Sequence, residues 1–306
     1  MWPVPTFRRK PGGVTRGGTA PARLDALLRM PQGKEPMFAK LNHVAIVSEN
    51  YALLSVWYRA AFGLEVKTNA KFEASAMSIG DGYVGMNVNP RMAGRQAGFD
   101  HFGIQVEDVA VVRERVAKKY PNIEIIQRPS NRPFAALGIH DPAGQYFDLS
   151  QAGLKNRGEV YEAGAWEQPR HFSHFALRAV EPERLAEFYA GVFELPLSNS
   201  SAGEGAFALS DGRITMHILP WKISDFLGTG IERPAPDHLG FEVEDLAAFK
   251  KDVADLQTVN PLMTPKPTGV GAEGTARLEL FKKSGLGDHY MADLDGVMIA
   301  VSQRKQ

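Results

Sequence analysis

The chain contains the stretch Asp100-His101-Phe102-Gly103-Ile104, which is followed by Val106-Glu107-Asp108. A closely similar stretch, Asp237-His238-Leu239-Gly240-Phe241 followed by Val243-Glu244-Asp245, comes later in the chain. Each alternates large apolar residues with small or polar ones, as a strand with one buried face does, and each precedes a pattern typical of a helix. Because self-similarity along a sequence reveals a repeated structural unit, these stretches indicate that the chain repeats a strand-helix unit.

A second pair of stretches marks two further units. Asn42-His43-Val44-Ala45-Ile46 recurs as Ser173-His174-Phe175-Ala176-Leu177, and the turn Asp81-Gly82 recurs as Asp211-Gly212. Each unit continues with a helical pattern and then short strands separated by Gly, Asp, Asn and Pro. We therefore predict an α+β fold of four βαβββ modules that pair into two domains.

The length of 306 residues suits two cores of ordinary size. We place the first domain at residues 37–152 and the second at 170–303, joined by a Gly-rich, charged linker at 153–169. Residues 1–36 are rich in Pro, Gly and Arg, which predicts a flexible surface arm. An arm that holds a second subunit is the alternative, so a homo-oligomer stays open.

Composition excludes several classes of function. Lys and Arg number 35, as do Asp and Glu, and the basic residues form no run longer than three, which argues against a nucleic-acid partner. No apolar stretch of membrane-spanning length and no secretory signal is visible, so we expect a cytoplasmic protein that acts on a small molecule away from membranes. Because the chain has no Cys, a metal would bind to His, Asp and Glu.

Strand parity predicts such a site. Side chains alternate across a strand, so His43 lies opposite the bulky Val44 and Ile46, and His101 lies opposite Phe102 and Ile104.

After the turn Asp141-Pro142-Ala143-Gly144, Asp148 shares a face with Tyr146, opposite the bulky Phe147 and Leu149. Two imidazoles and one carboxylate in a common cup form a facial triad that suits Fe(II) or Mn(II), so we predict that His43, His101 and Asp148 bind one divalent ion. Tyr146 and His140 are the candidates for proton transfer beside it. The plain alternative is that each His is a hydrogen-bonded strand residue without a metal.

The residues resemble the glyoxalase, bleomycin-resistance and extradiol-dioxygenase superfamily, also called vicinal oxygen chelate proteins. The resemblance rests on a His on the first strand of one module, a His that opens its partner module, and a carboxylate on the partner's last strand after an Asp-Pro-x-Gly turn. It covers nearly everything after the arm and implies cupped mixed sheets. His43, His101 and Asp148 fill the three metal places, although the usual carboxylate is Glu. Some relatives pair modules two and three, and His174 would then replace His43.

The second domain departs from this pattern. The turn Asp293-Leu294-Asp295-Gly296 is present, but Ala300 stands at the place of the metal-binding carboxylate. A site made of His174, His217 and His238 is one alternative. We favour a structural cup, because parity places Arg178 with His174 and Glu242 with His238, where an internal ion pair would fill it.

The resemblance implies a reaction class. Extradiol ring cleavage of a catechol-like or hydroxyquinone-like substrate with Fe(II) comes first. Relatives that cleave catechols carry a Tyr where this chain has Gly138. One alternative is a lyase or isomerase of glyoxalase type with a metal such as Zn(II), although relatives of that kind carry Glu at the place of Asn87. The other is a metal-free protein of bleomycin-resistance type that sequesters a drug.

Overall fold

The computed structural model describes residues 37–66, 76–154, 157–158 and 168–305. The predicted arm, residues 1–36, and much of the predicted linker, residues 153–169, lie outside the described residues. No helix in the described part of the chain is long and apolar enough to span a bilayer.

The first sheet contains the following strands of the described chain: β1 (Ala39–Ser48), β2 (Glu65–Val66), β3 (Met77–Gly80), β4 (Gly85–Pro90), β5 (Gly98–Val106), β6 (Ile125–Pro133), β7 (Ala135–His140), β8 (Tyr146–Gln151) and β9 (Arg157–Gly158). Their order across the sheet is β2-β3-β4-β1-β5-β8-β7-β6-β9. The helices α1 (Tyr51–Phe62) and α2 (Val109–Lys119) follow β1 and β5, as the repeat predicts.

The second sheet contains β10 (His171–Ala179), β11 (Leu197–Asn199), β12 (Phe207–Ser210), β13 (Thr215–Pro220), β14 (Pro236–Val243), β15 (His289–Ala292) and β16 (Met298–Gln303), in the order β11-β12-β13-β10-β14-β16-β15. Its helices are α3 (Pro182–Phe193), α4 (Ile223–Thr229), α5 (Leu246–Val259) and α6 (Gly271–Lys283), with a 3-10 turn at Pro261–Met263. The chain is thus an α+β protein with two mixed sheets, one for each predicted pair of modules.

The pairing of β1 decides which modules share a sheet. β1 runs antiparallel to β5 and parallel to β4, so the sheet is mixed and the first two modules close on each other. His43 and His101 therefore belong to one sheet, whereas His174 lies on β10 in the other.

The fourth module departs from the predicted βαβββ order. Helix α6 lies between α5 and β15, at the chain position where β6 stands in the second module. Its sequence is rich in Ala, Glu, Leu, Arg and Lys, which favour a helix over a strand.

The bulky faces of both sheets and the aromatic residues of the helices form one hydrophobic core. Trp57, Tyr58 and Phe62 of α1 are fully buried, as are Phe188, Tyr189 and Phe193 of α3. The Phe62 ring stacks on Phe241 of the other domain at a centroid distance of 3.9 Å. The two domains are therefore packed against each other through buried aromatic side chains.

Buried carboxylates at two turns join the domains symmetrically. The Tyr189 hydroxyl donates to Asp141 Oδ2 and the Tyr58 hydroxyl donates to Asp293 Oδ2, each over 2.9 Å. The Oδ1 atom of each Asp accepts from backbone amides of its own turn. One oxygen of each Asp thus closes a turn while the other binds the opposite domain.

Two further turns repeat this arrangement. The Phe172 amide donates to Asp81 Oδ2 over 2.9 Å, and the Leu41 amide donates to Asp211 Oδ2 over 2.8 Å. Their Oδ1 atoms again accept from the amides of their own turns. All four turn carboxylates are buried, so the residues that mark turns in the sequence also hold the domains together.

The pH dependence of stability should report this interface. Burial raises the pKa of Asp293 to about 6, although hydrogen bonds from Tyr58 and the turn amides act against the rise. Because the folded state holds this proton more tightly than the unfolded chain, the stabilisation is present at low pH and is lost as pH rises through about 6. We expect the unfolding free energy of Asp293→Asn, relative to wild type, to gain up to about 3 kcal/mol between pH 4 and pH 7. Urea unfolding at both pH values measures this difference, and a constant difference would contradict the assignment.

Candidate metal centre

His43, His101 and Asp148 come together on three adjacent strands, β1, β5 and β8. His43 Nε2 lies 3.4 Å and His101 Nε2 lies 3.3 Å from Asp148 Oδ2. One ligand atom from each residue lies within 4.8 Å of the others, and all three residues are buried. Among the described residues, no other group of His, Asp and Glu has this geometry.

A glycine makes room for this arrangement. Gly103 on β5 pairs in register with both His43 and Asp148. A Cβ at this position would lie 2.0 Å from His43 Cε1, so the imidazole occupies the space of the missing side chain. The Gly of the repeated His-x-Gly stretch is thus part of the site.

Each imidazole is oriented by a neighbour outside the triad. His43 Nδ1 donates to Asn42 Oδ1 over 2.9 Å, and Asn42 Nδ2 in turn donates to the Phe134 carbonyl over 3.1 Å. His101 Nδ1 donates to Asp100 Oδ2 over 2.6 Å. Because an imidazole tied at Nδ1 presents Nε2 to a metal, both rings have the orientation of metal ligands.

His43 Nε2 needs a cation in front of it. With its proton on Nδ1, the ring presents a lone pair at Nε2, and this buried atom makes no hydrogen bond. The atom it faces at 3.4 Å is a carboxylate oxygen, which also has only lone pairs to offer. Two buried acceptors in contact are unfavourable unless a positive charge lies between them. The residues therefore fit a bound divalent ion.

The charge states show a buried anion, Asp148, whose charge a cation must balance. Burial acts to raise the pKa of Asp148, but His101 and His43 hold it well below its usual range, so the carboxylate stays ionised. Burial lowers the pKa of His43. Burial also acts to lower the pKa of His101, yet the carboxylates of Asp148 and Asp100 raise it to about 9, so in the metal-free protein His101 is protonated and a metal ion would displace its Nε2 proton.

Of the two residues predicted to transfer protons, Tyr146 contacts the triad. Its hydroxyl makes a short hydrogen bond to Asp148 Oδ1, the oxygen that does not face the imidazoles. Burial and the Asp148 charge raise the pKa of Tyr146 well above its usual range, so the hydroxyl stays protonated and is the donor in this hydrogen bond. His140 pairs in register with Tyr146, and its Nδ1 bonds to the Asp141 carbonyl over 2.9 Å. In the described part of the chain His140 makes no hydrogen bond or ion pair with the triad.

Two residues of the site were missing from the sequence prediction. Arg128 Nη2 lies 3.1 Å from Asp148 Oδ1, and the Phe134 ring stacks on His43 at a centroid distance of 5.3 Å. Arg128 could have been found by parity along β6, because Ile126 pairs with Gly138, which pairs with Asp148. Nothing in the local sequence of Phe134 predicts its contact with a strand 91 residues earlier.

The second cup is built alike but lacks the carboxylate. Ala300 pairs with Gly240 as Asp148 pairs with Gly103. The rings of His217 and His238 lie 5.3 and 5.4 Å from that of His174. Burial lowers the pKa of all three imidazoles, and these residues do not form a ligand group of the kind found in the first cup among the described residues.

The predicted ion pair in this cup is wrong. Arg178 Nε donates to Asp237 Oδ1 over 2.8 Å, and Asp237 also binds His238 Nδ1. Glu242 instead lies 3.8 Å from His171. Parity identified the face of each residue, but Asp237 at the start of β14 offers Arg178 a nearer, buried carboxylate.

Comparisons with known proteins find this fold in solved structures. No family model matches the sequence, and no curated protein matches it either. The Mn(II)-bound glyoxalase from Novosphingobium aromaticivorans superimposes with a TM-score of 0.56 at 14% identity, over 87% of this chain and 82% of the other. Homoprotocatechuate 2,3-dioxygenase from Arthrobacter globiformis gives 0.55 at 14% identity, over 90% and 82%.

A fusion of a xylose isomerase-like TIM barrel with a 4-hydroxyphenylpyruvate dioxygenase matches with a TM-score of 0.55 at 14% identity. The match covers 90% of this chain and 50% of the fusion protein, so the chain spans half of that protein's length. At 14% sequence identity, these matches establish a shared fold and nothing about the reaction.

Proposed function

We propose that this chain, which has the fold of the vicinal oxygen chelate superfamily, is a metal-dependent enzyme with one divalent ion on His43, His101 and Asp148. The observation that carries the proposal is the contact between His43 Nε2 and Asp148 Oδ2, two buried acceptors 3.4 Å apart. The reaction that we favour is extradiol cleavage of a small catechol-like or hydroxyquinone-like substrate with Fe(II). A bound Fe(II) would polarise adjacent substrate oxygens and supply reactivity toward molecular oxygen.

The residues around the triad have roles suited to such chemistry. Arg128 and Tyr146 bind Asp148 Oδ1 and leave Oδ2 for the ion. The Tyr146 hydroxyl stays protonated, and its single proton would turn from Asp148 Oδ1 to an oxygen of the substrate when Tyr146 acts as a donor. Phe134 and the core side chains exclude water from the back of His43, which strengthens electrostatic interactions in the cup.

A second reaction deserves a test because of one observation. Gly138 pairs with Asp148 across β7 and β8, so the strand beside the carboxylate offers no acid or base there. A lyase or isomerase of glyoxalase type, with Zn(II) or Mn(II), does not react with molecular oxygen, so it needs no residue that assists such a reaction. A Mn(II)-bound glyoxalase is among the proteins of this fold.

Metal analysis followed by oxygen uptake tests the proposal. Wild type should bind one metal ion per chain, His101→Ala should lose it, and the repeat counterpart His238→Ala should keep it. The Fe(II) protein should then consume oxygen with at least one member of a catechol panel. Equal metal contents in the two variants would contradict the site, and oxygen-independent turnover with Zn(II) or Mn(II) would favour the lyase or isomerase.

Tyr146→Phe should separate proton donation from metal binding. We expect turnover to fall by about 10²-fold or more, the usual effect of losing a positioned acid, while the protein still binds one metal ion at saturation. Tyr290→Phe in the other domain is the matched control and should leave turnover unchanged. Wild-type turnover in Tyr146→Phe would remove Tyr146 from the chemistry.

A further inference from the structure

Phe134 lies at the junction of β6 and β7 in an unusual backbone conformation. Its φ is +65°, in the left-handed region that bulky residues avoid. Glu194, the other residue besides glycine with positive φ in the described chain, ends helix α3, where this conformation is common. Phe134 ends no helix, so another feature must hold it in place.

The Phe134 ring packs into a space that is prepared for it. Gly85 pairs with His43 across β4 and β1, and a Cβ on Gly85 would lie 2.1 Å from Phe134 Cζ. The ring is 2% exposed and stacks on the His43 imidazole with an interplanar angle of 25°. One face of the His43 ring is therefore fixed by an aromatic side chain from a distant hairpin.

The backbone of Phe134 also orients the His43 ring, through Asn42. The Phe134 carbonyl accepts from Asn42 Nδ2 over 3.1 Å, which leaves Asn42 Oδ1 to accept from His43 Nδ1 over 2.9 Å. These two hydrogen bonds set the tautomer of His43. If the Asn42 amide were inverted, its NH2 group would face His43 Nδ1 and its oxygen would face the Phe134 carbonyl. In the left-handed conformation Phe134 places its ring against the His43 imidazole and its carbonyl against Asn42, the hydrogen-bond partner of His43.

We propose that Phe134 is a positioning residue that selects the Nδ1–H tautomer of His43 and aims Nε2 at the metal place. This inference deepens the proposed function and rests on it for its metal readout. It assigns the strain at Phe134 to the task of orienting a ligand. The β6–β7 hairpin thereby becomes part of the site.

The metal-free protein provides the first test. In ¹⁵N-labelled wild type, NMR should show His43 as one tautomer with its proton on Nδ1. Phe134→Ala removes the ring that holds this left-handed backbone, and Gly85→Ala displaces that ring, so in both variants the carbonyl should leave Asn42 and His43 should become a mixture of tautomers. Glu194→Ala, the same change at the other left-handed residue, is the matched control and should leave His43 as in wild type.

Co(II) affinity and the visible spectrum of the bound ion provide the second readout. Both site variants should bind Co(II) ten- to a hundredfold more weakly, as is usual when an outer partner of a ligand is lost, and with an altered spectrum. A single Nδ1–H tautomer in both folded variants overturns the inference. Failure of wild type to bind Co(II) would overturn the proposed function, whereas the tautomer measurement would still decide the role of Phe134.

Discussion

Asp148→Asn should abolish metal binding while the protein still folds. The amide is uncharged, so the ion loses its one anionic ligand, and Arg128 and protonated His101 lose the carboxylate that compensates them. Removing one partner of a buried ion pair costs about 3–5 kcal/mol, so the metal-free variant should also unfold at lower urea concentration than metal-free wild type. Elemental analysis and urea titration measure the two effects.

Asp148→Glu is the matched control for this variant. It keeps the charge and adds one methylene, and the resemblance implies that Glu is the usual residue at this place. We expect it to retain metal. If Asp148→Asn bound metal as tightly as Asp148→Glu, the carboxylate would not be a ligand and the site would have to be rebuilt around other residues.

Much of the fold could be predicted because two signals, strand parity and the repeat, can be seen in a single sequence. Strand parity placed Val44, Ile46, Phe102 and Ile104 in the core, and all four are buried. The repeat then gave the correspondence between modules, and the resemblance implied the mixed sheets. Parity needs only neighbouring residues and the repeat needs only self-similarity along the chain, so both signals are visible in a single sequence.

The contacts between domains could not be predicted in the same way. Asp81 and Asp141 were recognised as turn residues, and their Oδ1 atoms do close turns. Their Oδ2 atoms bind Phe172 and Tyr189, 91 and 48 residues away. A turn motif predicts the partners of Oδ1, which are amides of the same turn. The partner of Oδ2 depends on how the whole chain packs.

The candidate site shows the same division. Parity brought His43, His101 and Asp148 to a common face, where the structure places them together. It could not choose between neighbours on that face, which is why the Arg178–Glu242 pair was wrong and Arg128 was missed. Register between strands, which decides such contacts, is a property of the assembled sheet.

Gly103→Ala should impair metal binding without changing any ligand. The added methyl group would lie 2.0 Å from His43 Cε1 and 2.8 Å from Asn42 Oδ1, so the imidazole must turn away and lose its Nδ1 hydrogen bond. Neither contact can relax easily, because His43 is also held by the stacked Phe134 ring. We expect metal affinity to fall by about 10²-fold, the upper part of the range for displaced ligand partners.

The repeat supplies a closely matched control. Gly240→Ala in the second cup would place a methyl group 2.1 Å from His174 Cε1, so it causes the same steric change in the same setting. Its cup has Ala300 in place of the carboxylate, and we therefore expect the metal affinity of wild type. Isothermal titration with Mn(II) on both variants compares the cups directly. If both variants lost affinity equally, the effect would be general destabilisation, whereas loss in Gly240→Ala alone would place the metal in the second cup and contradict the assignment to the first.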